Sequence, residues 1–269
     1  MVNRLLDAFF NRIREFQMLG LEHNRGEKNL FVSGYPISGN SWIAYLLAYI
    51  LNCKYHDIDH VEWSPQRISL KESLSGTNDH DGSQIFDRVL KTHGCASAIN
   101  LGPNDRLVYN VRDGRDVANS FYHRVEKVWA NSNNWKRKLL YKVSRVIPIR
   151  FRYSMLIGYF SRLWAKEVQV HLDAGFLIIR YEDMLVDPLE TLKTAFAELD
   201  PDAWDESVAQ KAIDLFSFGK MKKSAAESSA TVKTDRVGGS GDWQNYFSPS
   251  DKKRFDTNCG DVMCALGYD

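Results

Sequence analysis

The chain is poor in the residues that build metal and disulfide sites. Its 269 residues include four cysteines, Cys53, Cys95, Cys259 and Cys264, with no CxxC pair and no Cys/His cluster at metal-ligand spacing. Four reduced thiols and no bound metal are the expectation. An excess of one charge is also missing: 35 Lys and Arg stand against 34 Asp and Glu, so no global field marks a nucleic-acid binder. No apolar run reaches the roughly 18 residues of a membrane span. Arg4, Asp7, Arg12 and Arg14 interrupt any apolar stretch near the N-terminus, so no signal peptide is read and a cytoplasmic location is expected. Internal repeats and low-complexity tracts are lacking too.

What is present suits a globular enzyme or binding domain. Hydrophobic residues make up 44% and charged residues 26%, and the length suffices for a substantial core. Leu5 to Leu21 has a helical apolar pattern. Leu30 to Ser33 is a short strand, and Trp42 to Leu51 is an apolar helix. Lys54 to Asp87 reads as irregular; its His56, His60 and His80 lie among carboxylates without HxH or HExxH spacing. Val89 to Thr92 and Arg106 to Val111 are strands, and Arg115 to Val128 is a helix. Lys136 to Arg152 is basic and aromatic, a solvated insertion or a contact for an anionic surface. A long helix covers Tyr153 to Leu172, and Phe176 to Arg180 is a strand buried on both faces. Helices follow at Pro188 to Leu199, Glu206 to Phe216 and from Pro249 onward. Ser224 to Ser240 reads as a mobile loop. This alternation predicts an α/β fold, a parallel sheet with helices on both faces.

The most informative stretch is FVSGYPISGNSW, Phe31 to Trp42. A strand, a glycine-bracketed turn and a helix N-terminus in that order form an anion cradle, because first-turn N–H groups and the helix dipole favour negative charge. Gly34, Gly39 and Ser41 fit the nucleotide P-loop spacing, but Asn40 stands where that loop carries its Lys. The Lys reaches the terminal phosphates of a triphosphate, so a P-loop kinase is the lesser alternative. A strand-to-helix turn without a ligand remains open.

Two further groups belong at the carboxyl edge of such a sheet, where ligands bind. Lys91 and His93 close the second predicted strand and, by strand alternation, share a face. His93 is a candidate general base, with a hydrogen-bonded structural histidine as the other reading. Arg112 follows the third strand and Ser120 lies eight residues on; a guanidinium fork and a hydroxyl suit a phosphate, unless Arg112 pairs with Asp113 or Asp116. Arg236, Val237, Gly238 and Gly239 bring a cation and close backbone approach to the loop.

These pieces in this order resemble the cytosolic sulfotransferase family, over about Leu30 to Asp256. YPISGNSW resembles the family's 5′-phosphosulfate loop, KTH at Lys91 to His93 its catalytic-base segment, and RDGRDVANSFYH from Arg112 its 3′-phosphate motif. YEDM at Tyr181, SFGKMKK at Ser217 and RVGGSGDWQNYFS at Arg236 resemble its later segments. The resemblance implies a single domain over residues 1–269, with an N-terminal helix (1–29), substrate-side segments (54–87 and 129–152) and a mobile lid (224–241). It implies 3′-phosphoadenosine 5′-phosphosulfate (PAPS) as donor and 3′,5′-adenosine bisphosphate (PAP) as product. Ser38, Gly39, Asn40 and Ser41 would hold the 5′-phosphate and sulfate, and Trp42 would stack on adenine. Arg112, Ser120, Arg236, Val237 and Gly238 would surround the 3′-phosphate, with Tyr181, Phe218 and Met221 lining the adenine pocket. His93 would take the proton of a small-molecule hydroxyl or amine, without a metal.

Two departures stand out. Ile37 replaces the usual loop Lys, and Val237 replaces a Lys beside the 3′-phosphate. Lys91 is the candidate for the missing charge; without compensation, the chain would be a nucleotide-binding pseudoenzyme or sensor.

Overall fold

The computed structural model describes residues 27–58, 85–95, 99, 101–131, 135–217 and 239–268. The expected N-terminal helix, most of the 54–87 segment and most of the 224–241 lid fall outside them. Five strands are described: β1 (Asn29–Ser33), β2 (Lys54–Asp57), β3 (Arg88–Lys91), β4 (Arg106–Val111) and β5 (Leu177–Arg180). Eight α-helices accompany them: α1 (Asn40–Ile50), α2 (Gly114–Ala130), α3 (Trp135–Ser144), α4 (Ile149–Asp173), α5 (Tyr181–Val186), α6 (Pro188–Leu199), α7 (Glu206–Leu215) and α8 (Pro249–Ala265). The chain divides into two compact units, one of residues 1–111 and 174–237, the other of residues 112–173 and 238–269.

In the first unit all strand pairs are parallel and the order is β2-β3-β1-β4-β5. Strand β1 takes the centre, fully buried along its length. Leu30 and Val32 join Val89, Val108 and Ile179 in one cluster with α1 and α6. Phe31, Leu90 and Leu107, on the alternate positions, are buried as well, as parallel sheets require. Helix α1 is apolar nearly all round, which suits a helix packed inside rather than laid on a surface; Trp42 to Ala48 are all buried. Asp187 and Asp205 cap α6 and α7 by accepting first-turn N–H groups.

In the second unit the long α4 packs chiefly on α8, with Phe160, Trp164 and Phe255 fully buried. Helix α8 starts with a capping box: the Ser248 hydroxyl accepts from the Asp251 N–H, and the Asp251 carboxylate accepts from the Ser248 N–H.

Several sequence expectations change. Lys54 to Asp57, read as irregular, is strand β2, formed by pairing to β3. Strand β5 lies at the sheet edge, with Leu177 and Ile178 only half-buried rather than covered on both faces. The YEDM segment opens the short helix α5. The basic stretch read as an insertion is α3, a turn and the start of α4, which begins at Ile149 instead of Tyr153.

Candidate functional site

The β1–α1 loop folds tightly on itself. The Ser38 N–H donates to the Tyr35 carbonyl at 3.1 Å, and the Trp42 N–H donates to the Gly39 carbonyl at 2.9 Å. Gly39 caps α1 with φ 96°, in the left-handed region, and a Cβ there would stand 2.7 Å from the Tyr181 ring. Both backbone and neighbour therefore require glycine. A Cβ on Gly34 would fall 2.4 Å from the Asn110 carbonyl oxygen. Ile37 also has φ 74°, a conformation that β-branched residues rarely take.

Ser38 stands out among the buried orphan polar groups by its place at a helix N-terminus. Its side chain is fully buried, and its Oγ has no hydrogen-bond partner among the described residues. Buried hydroxyls are almost always satisfied. Here an orphan donor sits one residue before the N-cap of an eleven-residue helix, where backbone N–H groups and the dipole favour an anion. A phosphate or sulfate oxygen fits that combination.

Asn40 supports the loop from inside. Its Oδ1 accepts from Asn110 Nδ2 at 2.9 Å, which fixes the amide's orientation. Its Nδ2 then donates to the Gly34 carbonyl at 2.6 Å and lies 2.9 Å from His93 Nδ1. Asn110 Nδ2 also donates to the Ser38 carbonyl at 2.7 Å. So the Asn40 side chain is committed to the protein, and only its backbone is placed to meet an anion. Asn110 was missed from sequence; its one signal is a buried amide inside the apolar run RLVYNV.

His93 sits beside this loop, half-buried, with Nδ1 2.9 Å from the Gly34 carbonyl oxygen. Asn40 Nδ2 lies equally close to Nδ1, so the carbonyl favours a proton on Nδ1 and the amide favours a lone pair there. The expectation that Lys91 and His93 share a face rested on a strand continuing through both. Strand β3 ends at Lys91, and the two side chains reach toward opposite neighbours of β3. Lys91 is 3% exposed and its ammonium lies 3.2 Å from Asp57 at the end of β2. His93 turns to the loop after β1. Asp57 is the second functional neighbour that the sequence did not reveal.

Trp42 and Tyr181 meet edge to face with centroids 6.1 Å apart, and both are buried. The ring pair and Gly39 form one contact group in the first unit.

In the second unit, Arg112 is 5% exposed and donates from Nη2 to the Gly239 carbonyl at 3.2 Å. Asp113 pairs with Arg115, whose Nη2 lies 2.8 Å from it. Asp116 accepts the N–H groups of Gly241 and Trp243 at 2.6 and 2.9 Å. Burial raises the Asp116 pKa, against those two hydrogen bonds and the nearby Arg112 charge. The Arg115 guanidinium lies 4.4 Å over the Trp243 ring. Ser120 is half-buried on α2. This unit thus ties the start of α2 to the Gly239 end of the glycine segment. Phe218, Met221, Arg236, Val237 and Gly238 lie outside the described residues. Among the described residues, no group of three or more His, Cys, Asp or Glu could hold a metal, and no helix is long and apolar enough to cross a membrane.

The comparisons agree with this geometry. A family model described as Sulfotransferase domain matches residues 27–267. Sulfotransferase 1 family member D1 of Rattus norvegicus is 25% identical over 253 residues, covering 85% of this chain and 81% of its own. Sulfotransferase 1B1 of Mus musculus is 25% identical over 277 residues, covering 92% and 84%. The fold is similar to that of mouse sulfotransferase SULT7A1 complexed with PAP, at TM-score 0.58 and 22% identity over 93% of this chain and 88% of that one. It is also similar to retinol dehydratase in complex with androsterone and PAP, at TM-score 0.52 and 19% identity over 87% and 80%. The chain belongs to the sulfotransferase family.

Proposed function

We propose that the chain moves a sulfuryl group from PAPS to a hydroxyl or amine of a small molecule, with His93 as general base. The observation that carries this reading is the buried Ser38 hydroxyl at the α1 N-terminus, without a hydrogen-bond partner among the described residues, in a loop whose Gly34 carbonyl lies 2.9 Å from His93 Nδ1. An anion-binding turn with an imidazole beside it suits transfer of an anionic group to an acceptor that loses a proton.

In this reading Ser38, Gly39, Asn40 and Ser41 bind the 5′-phosphosulfate end of the donor. Trp42 and Tyr181, with Phe218 and Met221, take the adenine. Arg112, Ser120, Arg236, Val237 and Gly238 serve the 3′-phosphate. His93 Nε2 removes the acceptor's proton, a bond forms from the acceptor atom to sulfur, and the bond from sulfur to the bridging phosphate oxygen breaks, releasing PAP. Lys91, the candidate for the charge that Ile37 does not supply, turns toward β2 and pairs with Asp57, which counts against that role. The four free thiols fit a reducing cytoplasm.

The test uses a panel of phenols, alcohols and amines with PAPS, and calorimetry with PAP and ATP. Sulfated product and a PAP heat that ATP does not match are expected. His93→Ala abolishes transfer and keeps PAP binding; loss of binding as well would make His93 structural. PAP binding without product on any acceptor is the result of a sensor. Preference for ATP with magnesium is that of a kinase.

A further inference from the structure

We infer that the face formed by α3 and the first turn of α4 is a docking surface for a lipid leaflet carrying anionic headgroups. The inference stands on the second unit alone and does not depend on sulfuryl transfer.

The first observation is charge. From Lys127 to Lys166 the sequence holds ten Lys and Arg and no Asp or Glu. The segment carries +10 in a chain of net +1, so the remaining residues sum to −9. A near-neutral protein has concentrated a cationic field on one stretch.

The second observation is exposed apolar surface in that same stretch. Seven large hydrophobic residues are exposed among the described residues, and five of them fall between positions 135 and 151: Trp135, Leu139, Val146, Ile149 and Phe151. Single exposed hydrophobics are ordinary, but a local concentration marks an interaction surface. Trp135 is 68% exposed and Val146 85%.

The third observation is their arrangement. Trp135, Lys138, Leu139 and Lys142 stand at i, i+3, i+4 and i+7, which is one face of a helix. The Arg145 N–H still donates to the Tyr141 carbonyl at 3.1 Å, so the helical spacing carries the face on to Arg145. All five side chains are exposed. No ion pair engages Lys138, Lys142 or Arg145 among the described residues. Cations and apolar side chains are interleaved on the outward face, and not sorted to opposite sides as in a helix that packs inward.

This mixture selects the occupant. A nucleic acid or acidic polysaccharide would use the cations and leave tryptophan and phenylalanine wet. A second copy of the chain would bring the same positive field against itself. A bilayer interface takes both groups: cations meet phosphates, and apolar side chains enter the boundary between headgroups and acyl chains. Tryptophan is favoured at that depth. Helix α3 has ten residues, about 15 Å of length, so it lies along the surface and does not cross it.

The experiment is flotation of the full chain with vesicles of phosphatidylcholine alone, or of phosphatidylcholine mixed with phosphatidylglycerol. Binding is expected only to the mixed vesicles, and it weakens as salt rises from 0.1 to 1 M, where screening shortens from about 10 to about 3 Å. Each interfacial cation contributes about fivefold to partitioning on an anionic leaflet. K138E/K142E/R145E therefore lowers it by about 100-fold or more. Trp135→Ser with Phe151→Ser, all charges kept, lowers it by about tenfold and leaves retention on heparin unchanged. Circular dichroism checks that both variants remain folded. Equal binding to neutral vesicles, no binding to either, or full binding by the charge-reversed variant overturns the inference. If the apolar variant binds vesicles as well as the parent, the face is a general polyanion surface and the lipid assignment is wrong.

Discussion

Ser38 and Gly39 show how one short turn meets opposing demands. A buried hydroxyl without a partner costs about 1–3 kcal/mol, a penalty that evolution retains where a ligand removes it. Ser38→Ala is therefore expected to raise the stability of the free protein by about 1 kcal/mol and to weaken PAP binding several-fold. Thermal scans with and without PAP read both signs at once; a variant less stable without ligand would mean that Ser38 Oγ has a structural partner. Gly39 makes the complementary case. Gly39→Ala combines the left-handed penalty of about 1–2 kcal/mol with a Cβ 2.7 Å from the Tyr181 ring. In a Tyr181→Ala background only the backbone part remains, so the two substitutions should couple by at least 0.5 kcal/mol in a double-mutant cycle, on the order typical of contacting residues. The sequence exposed these residues through their type and spacing. It could not expose Asn110 and Asp57, whose roles arise from partners 70 and 34 positions away.

At the scale of elements, legibility followed how local each signal is. Helix α6 was delimited in the sequence because Pro188 fits a first helical turn, and β4 because RLVYNV is an apolar run with its own ends. Strand β2 was not seen: KYHD alternates exposed and buried residues over only four positions, and its strand state comes from pairing with β3. Helix α5 starts directly after β5, without a spacer to announce it. Caps are a further local device with a measurable consequence. Asp251 completes the α8 capping box and also accepts a hydrogen bond from Ser154 on α4. Burial works to raise its pKa, but hydrogen bonds from Ser154 and Ser248, with the Arg150 charge, overcome it and hold the carboxyl below its usual range. A depressed carboxylate stabilises the fold fully above its unfolded pKa, about 3.9, and loses that contribution as pH falls through the folded value. Asp251→Asn should therefore be less stable than the parent at pH 6, and the difference should shrink on acidification below pH 4. Urea unfolding at a series of pH values measures it; a constant difference would show that the ionised form plays no part.

Across the whole molecule, the parallel sheet and the tight turn between β1 and α1 were legible because both rest on short-range patterns, whereas the division into two units rests on contacts among segments far apart in sequence. The thiols offer a probe in each unit. Burial pushes Cys53 and Cys259 up to about 12, so neither forms thiolate in the native protein, while Cys264 is exposed and Cys95 half-buried. A disulfide reagent reacts through the thiolate. Cys264 should modify first and Cys95 more slowly, with Cys53 and Cys259 silent until the chain opens. Cys53 follows α1 directly: its N–H donates to the Ala48 carbonyl at 2.9 Å and its thiol donates to the Phe86 carbonyl at 2.8 Å. Its protection therefore reports the helix whose N-terminus carries the β1–α1 turn, the proposed 5′-phosphosulfate site. A ligand at 100 times its Kd stabilises the state it binds by about 2.7 kcal/mol. PAP at that level should slow Cys53 labelling in moderate urea by about 100-fold where opening and closing outpace modification, and ATP should not. If PAP leaves the Cys53 rate unchanged while binding is measured independently, the nucleotide does not use the α1 turn, and the residues assigned to its 5′ end would have to be sought elsewhere.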